Sequence, residues 1–177
     1  MHIGHLIIAQ QVVESGAADR LWFVVSPQNP LKPSATLLNE YHRLHLVELA
    51  IEGNSKFRAS KVEFSLPKPS FTIDTLTYLT ERHPGESFSI VMGGDSIQNI
   101  RRWKNWETLV ERHEIIVYNR PGFEVPHLNG ARITVLKAPL LEISATFIRE
   151  RIKAGSSVRY LLPDAVWKDV EENRYYR

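Results

Sequence analysis

Two histidines at the amino end of the chain, His2 and His5, flank Gly4 at the start of an apolar helical pattern. Residues three apart on a helix share one face, so both imidazole rings are expected on the same side. The first turn of a helix also carries unpaired backbone N–H groups and the positive end of the helix dipole. A glycine in that turn lets an anion approach the backbone closely. The segment therefore predicts a phosphate cradle with two ring donors aimed into it.

A second helix start, near the carboxyl end, carries another set of phosphate ligands. Ser144 and Thr146 favour helix N-termini, and Arg149 follows on the same face as Thr146. The pattern predicts a helix over 146–154 with Gly155 as its C-terminal cap. Hydroxyls, helix-start N–H groups and a guanidinium fork suit a polyphosphate tail. Either motif alone is often structural, as a histidine pair on a helix or a simple cap, but together they predict a nucleotide-handling enzyme.

The composition limits the classes of protein to consider. A chain of 177 residues, 43% of them hydrophobic, predicts one globular domain over 1–177 with a substantial core. A net charge of +2 is too small to indicate a nucleic-acid partner, and the lack of cysteine excludes disulfides and thiolate metal sites. The apolar start over 6–8 is too short for a signal peptide or a membrane span, so we predict no membrane association and a cytoplasmic location. Oligomeric state stays open, a homo-oligomer included.

Helical and strand-like patterns alternate along the chain. Strands are predicted over 20–26, 57–66, 88–92, 114–118 and 132–136, and helices over 4–15, 39–53, 72–82, 106–112 and 146–154 and from 163 onward. This alternation predicts an α/β fold built on a doubly wound parallel sheet. In such sheets ligands bind at the carboxyl ends of the strands.

Four further residues are candidates on that edge. Asp95 follows a predicted strand in a Gly-Gly-Asp turn, where its carboxylate could bind ribose hydroxyls; a tight turn with a helix cap explains the pattern equally well. Trp103 and Trp106, three apart, favour core packing, with stacking on a heteroaromatic ring as the alternative. Lys32 lies in the proline-rich loop 27–33 as a candidate phosphate contact, although a solvated lysine is the commoner case.

The histidine motif and the segment Ile-Ser-Ala-Thr-Phe-Ile-Arg over 143–149 resemble the two signature motifs of the nucleotidyltransferase superfamily. More narrowly, the chain resembles the bacterial nicotinate-nucleotide adenylyltransferase family over nearly its whole length. The segments around Pro69 and Trp103 point to that branch. The resemblance is carried by 69–75, 93–96, 102–103, 119–122, 143–151 and 160–163.

This resemblance implies transfer of AMP from ATP to nicotinate mononucleotide, which forms nicotinate adenine dinucleotide, a precursor of NAD, and releases pyrophosphate. It implies that Trp103 stacks on the pyridine ring, and that backbone N–H groups around Thr72 and Lys104 receive the nicotinate carboxylate and so select the acid over the amide. It implies Mg²⁺ bridging ATP oxygens, with no metal held by protein side chains. The implied site residues are His2 and His5 for catalysis, with His5 at the α-phosphate; Gly4, Asp95, Ser144, Thr146 and Arg149 for ATP; and Lys32, Thr72, Trp103 and Lys104 for the pyridine nucleotide.

The sequence departs from the family pattern in three places. Family members have a strand and a Gly-x-Phe-x-Pro loop before the histidine motif, so we expect the first strand of the sheet to be missing here and the native protein to begin about twenty residues upstream, since a strand takes about 5–6 residues plus its loop. Intact mass of the native protein tests this expectation. Phe71 and Ala145 stand where tyrosine and serine are common. Leu31 stands where histidine often precedes the lysine, which weakens the assignment of Lys32.

Three alternatives stay open. The chain could be an inactive, truncated nucleotide-binding remnant, which ATP binding without turnover would favour. It could be another nucleotidyltransferase of this fold, such as a cytidylyltransferase or a pantetheine-phosphate adenylyltransferase, although the Pro69 and Trp103 segments argue against both. Class I aminoacyl-tRNA synthetases share the His-Ile-Gly-His signature, but they need a Lys-Met-Ser-Lys-Ser loop, which this sequence lacks, and a far longer chain.

Overall fold

The computed structural model describes residues 1–28, 30, 37–118, 123–136, 139 and 142–177. Within these ranges strands and helices alternate, which confirms the predicted α/β class. The strands are β1 Leu21–Val24, β2 Phe57–Ser60, β3 Ile90–Gly93, β4 Ile115–Tyr118 and β5 Ile133–Leu136. The α-helices are α1 Ile3–Glu14, α2 Glu40–Ile51, α3 Thr72–Arg82, α4 Gly94–Gln98, α5 Trp106–Arg112, α6 Ala145–Lys153 and α7 Asp164–Glu172. None of these described helices is long and apolar enough to cross a membrane.

The strands pair in parallel as two sheets, one of order β1-β2 and one of order β3-β4-β5. Leu21 lies opposite Phe57 in the first sheet, and Ile115 lies between Ile90 and Ile133 in the second. Helix α1 packs on both sheets, because its buried Val12 shares one apolar cluster with residues of β1, β3 and β4. The helix that begins at the two histidines is therefore packed against strands of both sheets.

Most of the core lies on the β3-β4-β5 side. All four residues of β4 are buried, as expected for the central strand of a parallel sheet covered on both faces. The larger apolar cluster joins this sheet to α3, α4 and α5, and a second cluster joins α2, α6 and α7. Representative members of the first are Ile73, Leu76, Ile97, Ile100 and Leu109, and of the second Leu46, Ile148, Val166 and Val170.

The prediction of a strand over 57–66 is wrong beyond Ser60. The chain leaves β2 there and forms a 3₁₀ turn over Val62–Ser65. The turn buries the side chain of Glu63, whose Oε1 accepts a 2.8 Å hydrogen bond from the hydroxyl of Thr75 on α3. The prediction was wrong because polar and apolar residues continue to alternate past the end of the strand. The contact of Glu63 with α3 determines the local structure there instead.

Two consecutive short elements between β3 and Trp103 escaped the sequence patterns. Helix α4 has five residues, and a 3₁₀ turn over Ile100–Arg102 follows it. Both are shorter than the window over which helical periodicity can be recognised. They matter because they carry the chain from the end of β3 to Trp103, between two segments of the predicted site.

Candidate functional site

The topology places the predicted site segments at the carboxyl edge of the parallel strands. Helix α4 starts directly after β3, and α3 and α6 follow β2 and β5 along the chain. Helix α1 leads into β1 across a short connection, and so its amino end lies at the same edge. This is the edge at which α/β sheets bind their ligands.

The two histidines at the start of α1 are stacked. Their ring centroids lie 3.7 Å apart with 30° between the ring planes. His2 has an extended backbone and precedes the helix, whereas His5 lies in its first turn. His2 is buried, with 6% of its surface exposed, and His5 is exposed. The prediction that both rings share one face is confirmed, and His5 is the ring that solvent or a ligand can reach.

A hydrogen bond orients the exposed ring. The backbone N–H of His2 donates to Nδ1 of His5 over 3.4 Å, while the backbone N–H of His5 donates to the carbonyl of His2 over 3.0 Å. Nδ1 of His5 thus serves as a hydrogen-bond acceptor at the helix start. This bond and the stacking on His2 fix the orientation of the exposed ring at the amino end of α1.

Gly4 has a packing role beside its predicted one. A Cβ built at this position would lie 3.1 Å from Nδ1 and 3.2 Å from Cε1 of His2. Any other residue would therefore press on the buried ring of the stacked pair. Gly4 is itself buried, and its lack of a side chain leaves the space that the ring of His2 occupies.

The start of α6 is organised around Ser144 and Thr146. The hydroxyl of Ser144 accepts a 3.1 Å hydrogen bond from the backbone N–H of Phe147, which makes it the N-cap. The hydroxyl of Thr146 accepts a 3.1 Å hydrogen bond from the guanidinium of Arg149. Both serve as local structure, yet a hydroxyl that accepts still has a proton to donate. Gly155 follows the helix with φ of +70°, which confirms its predicted place at the C-terminal end.

Asp95 lies in the first turn of α4, and its carboxylate folds back over the end of β3. A Cβ built on Gly93 would come within 2.7 Å of the Asp95 Oδ1 atom. Gly93 thus leaves the space in which the carboxylate rests, at the carboxyl end of the strand. Asp95 is exposed there. The residue therefore lies at a helix start, as one of the two interpretations of the Gly-Gly-Asp turn expected, and its carboxylate is also accessible, as the other requires.

Three residues predicted for the pyridine nucleotide meet between α3 and the loop after the 3₁₀ turn. Thr72 opens α3, and Trp103 and Lys104 form the loop before α5. Trp103 and Trp106 are both partly buried against the larger core cluster. The ammonium of Lys104 reaches across to Asp74 on α3, with its Nζ 2.9 Å from Oδ2 and 3.1 Å from Oδ1. Sequence reasoning missed Asp74, because no local pattern ties residues thirty positions apart.

Arg43 on α2 is a second residue that the sequence did not single out. Its guanidinium donates to the carbonyls of Ser26 over 2.7 Å, Pro27 over 3.2 Å and Leu38 over 3.0 Å. These carbonyls belong to the chain just after β1 and just before α2. Arg43 therefore holds together the two ends of the connection that includes Lys32. Lys32 itself lies outside the described residues.

The carboxyl-terminal segment approaches the phosphate-binding candidates. Burial raises the pKa of the Tyr176 phenol above its usual value, and the nearby cations of Arg149 and Arg43 oppose that rise. Tyr175 also meets α2, with its hydroxyl 2.9 Å from Nδ1 of His42. The segment after α7 thus lies near enough to both arginines for their charges to act on Tyr176, a placement that no sequence motif indicated.

The described residues hold no ready-made metal cage. Within the ranges given above, no group of three or more histidine, aspartate or glutamate side chains converges where a metal ion could bind. The candidate residues offer instead ring and backbone N–H groups, hydroxyls, ammonium and guanidinium as donors, and the exposed Asp95 carboxylate as an acceptor. This set suits an anionic ligand with hydroxyl groups.

Comparison with known proteins shows which family the chain resembles over its length. Residues 1–151 match the model of the cytidylyltransferase-like family. A protein of Flavobacterium psychrophilum named "probable nicotinate-nucleotide adenylyltransferase" is 43% identical over 180 residues, which cover 100% of this chain and 93% of the relative. A protein of the same name from Cytophaga hutchinsonii is 44% identical over 177 residues, 99% of this chain and 92% of the relative.

A solved structure shares the fold. Plasmodium falciparum nicotinic acid mononucleotide adenylyltransferase complexed with NaAD superimposes with a TM-score of 0.83 at 19% identity, covering 99% of this chain and 91% of the other. The same protein complexed with APC gives a TM-score of 0.81. Identity this low supports the architecture alone, and the likeness extends over nearly the full length of both chains.

Proposed function

Because this chain belongs to the nicotinate-nucleotide adenylyltransferase family, within the cytidylyltransferase-like proteins, we propose that it transfers AMP from ATP to nicotinate mononucleotide. The products are nicotinate adenine dinucleotide and pyrophosphate. The observation that most supports this activity is the stacked pair of His2 and His5 at the start of α1, in which His5 is the exposed ring. We place the reaction in the cytoplasm, where ATP is available.

The nucleophile needs little help from the protein. A phosphate monoester has its second pKa near ~6, so the mononucleotide is mostly a dianion at neutral pH. One of its oxygens attacks the α-phosphorus of ATP, the bond from that phosphorus to the bridging oxygen breaks, and pyrophosphate leaves with the electron pair. No general base and no covalent enzyme intermediate are required. Catalysis consists of positioning the two nucleotides and neutralising charge that builds up in the transition state.

We assign the reacting phosphate to His5. Its Nε2–H donates to an oxygen of the α-phosphate, where negative charge increases as the new bond forms. His2, buried behind it, holds the ring by stacking and through its backbone N–H. The amino end of α1 adds the positive end of its dipole. His5 thus acts on the transition state, and His2 acts chiefly by positioning.

The leaving phosphates are assigned to the start of α6. Arg149 is already held over that helix start by Thr146, so little side-chain entropy is lost when its fork meets the β- and γ-phosphates. Ser144 can donate its hydroxyl proton there while it caps the helix. The exposed carboxylate of Asp95 accepts hydrogen bonds from the ATP ribose. Mg²⁺ would enter on the ATP oxygens, where this hard cation prefers to bind, and would offset part of the phosphate charge.

A single assay tests the proposed reaction. The chain is incubated with ATP and Mg²⁺, and pyrophosphate release is measured with nicotinate mononucleotide and nicotinamide mononucleotide in parallel. We expect release with the acid and much less with the amide. ATP binding by calorimetry with no release from either mononucleotide would support the inactive-remnant alternative. Release with a different phosphate-bearing acceptor only, such as pantetheine phosphate, would identify another nucleotidyltransferase.

Trp103→Ala tests the pyridine site. We expect KM for nicotinate mononucleotide to rise about tenfold, because stacking of an aromatic side chain on a base is worth roughly 1–3 kcal/mol. KM for ATP should change little. Steady-state kinetics with each substrate varied in turn measures both, and Trp103→Phe serves as the matched control because it keeps a stacking surface. A selective rise in KM for ATP would contradict the assignment.

A further inference from the structure

A compact cluster of charge and ring lies where the loop after the 3₁₀ turn meets α3. The Nζ atom of Lys104 lies 2.9 and 3.1 Å from the two carboxylate oxygens of Asp74 and 4.8 Å from the ring centre of Phe71. Asp74 is in the first turn of α3, and Phe71 is the residue just before that helix. One ammonium group thus bridges the loop that carries Trp103 and the helix start that carries Thr72.

The bridge is not explained by stability. The side chains of Lys104 and Asp74 are 43% and 45% exposed, and exposed ion pairs of this kind contribute little to the free energy of folding. The two elements are already joined by the larger core cluster, in which Phe71, Ile73 and Trp103 pack together. The local effect of the pair is therefore on the electrostatic potential around the start of α3.

The electrostatic potential at the start of α3 depends on the charge of Asp74. An aspartate in the first turn is favourable for the helix itself. It also puts a negative charge beside the backbone N–H groups around Thr72 and Lys104, which the family resemblance assigns to the nicotinate carboxylate. A carboxylate bound at those groups would be repelled by the Asp74 carboxylate, because charges near a protein surface interact through an effective dielectric constant below that of water. Lys104 is placed to cancel this charge.

We propose that Lys104 is a specificity-determining residue, whose ammonium neutralises Asp74 so that this subsite accepts a pyridine with an anionic substituent. The inference rests on the proposed function and deepens it. Removal of Lys104 leaves the Asp74 carboxylate unopposed and disfavours the acid selectively. The amide carries no charge on its substituent, and its binding is therefore largely indifferent to the pair.

Calorimetric titration of nicotinate mononucleotide and nicotinamide mononucleotide separates charge from architecture. We expect Lys104→Gln to raise Kd for the acid about 3- to 10-fold and to change Kd for the amide less than twofold. Asp74→Asn should leave Kd for the acid unchanged or lower. The double variant should recover at least half of the loss, because it removes the repelling charge together with its partner. Lys56→Gln, an exposed lysine just before β2, is the matched control.

Other outcomes overturn the inference. If Asp74→Asn weakens acid binding as much as Lys104→Gln does, the pair is a mechanical tether. If Lys104→Gln weakens acid and amide equally, or the double variant recovers nothing, charge neutralisation is also wrong. If the unaltered protein binds neither mononucleotide and releases no pyrophosphate, the proposed function fails and the role of Lys104 fails with it. If the unaltered protein binds and turns over its substrates but the variants do not change Kd as expected, only the role of Lys104 is wrong and the proposed function stands.

Discussion

Replacing His5 with alanine is expected to lower kcat by about 10²–10³, the usual loss when one donor to a developing negative charge is removed. The ring is exposed and the hydrogen bond to its Nδ1 is long at 3.4 Å, so the free energy of unfolding should fall by less than about 1 kcal/mol, as for most surface substitutions. Pyrophosphate release under saturating substrates measures the first quantity. Chemical denaturation followed by circular dichroism measures the second.

The matched control is His45→Ala. His45 is also an exposed histidine on a helix, but it pairs with Asp169 on α7. We expect its kcat to stay within twofold of the unaltered protein. A His5→Ala variant that unfolds, or one that keeps full turnover, would show that His5 belongs to the architecture of the helix start and not to the chemistry.

Sequence patterns predicted the elements that are long and locally encoded. Helix α3 spans the predicted 72–82, because its apolar residues repeat at the helical period. The end of β2 was misplaced because a buried contact of Glu63 with α3 overrode a strand-like alternation. Single-sequence patterns report local preference, and the contact that decided this case joins two elements that are distant along the chain.

The candidate site also has features that local sequence predicts and features that long-range contacts decide. That His2 and His5 share a face follows from helix geometry and was predicted. That His2 is buried behind His5, with Gly4 making the room, depends on how α1 packs across both sheets. The bridge from Lys104 to Asp74 is another long-range contact, since the larger core cluster brings α3 and the Trp103 loop together. The residue types of the candidate site can thus be recognised in short motifs, whereas the charges around them depend on the tertiary structure.

Replacing Arg149 with methionine is expected to lower kcat/KM for ATP about 10- to 100-fold. A hydrogen bond to a charged group contributes about 1.5–3 kcal/mol, and each 1.4 kcal/mol is a factor of ten. Thr146 holds the guanidinium in place before any ligand arrives, so the loss should appear in ATP binding and in the release of pyrophosphate together. The kcat/KM of Arg149→Lys for ATP should lie between those of the unaltered protein and Arg149→Met, since lysine keeps the charge and loses the planar fork. Calorimetry with ATP and single-turnover kinetics measure the two effects.

Arg151→Met is the control for this helix. Arg151 lies two residues further along α6, where its guanidinium packs 5.7 Å from the ring centre of Phe147. We expect kcat/KM for ATP to change less than twofold in that variant. Equal losses in both would mean that the general positive charge of α6 attracts ATP and that the preset fork of Arg149 is not special. A loss confined to Arg149, with Kd for the mononucleotide unchanged, is the result that a dedicated site for the leaving phosphates requires.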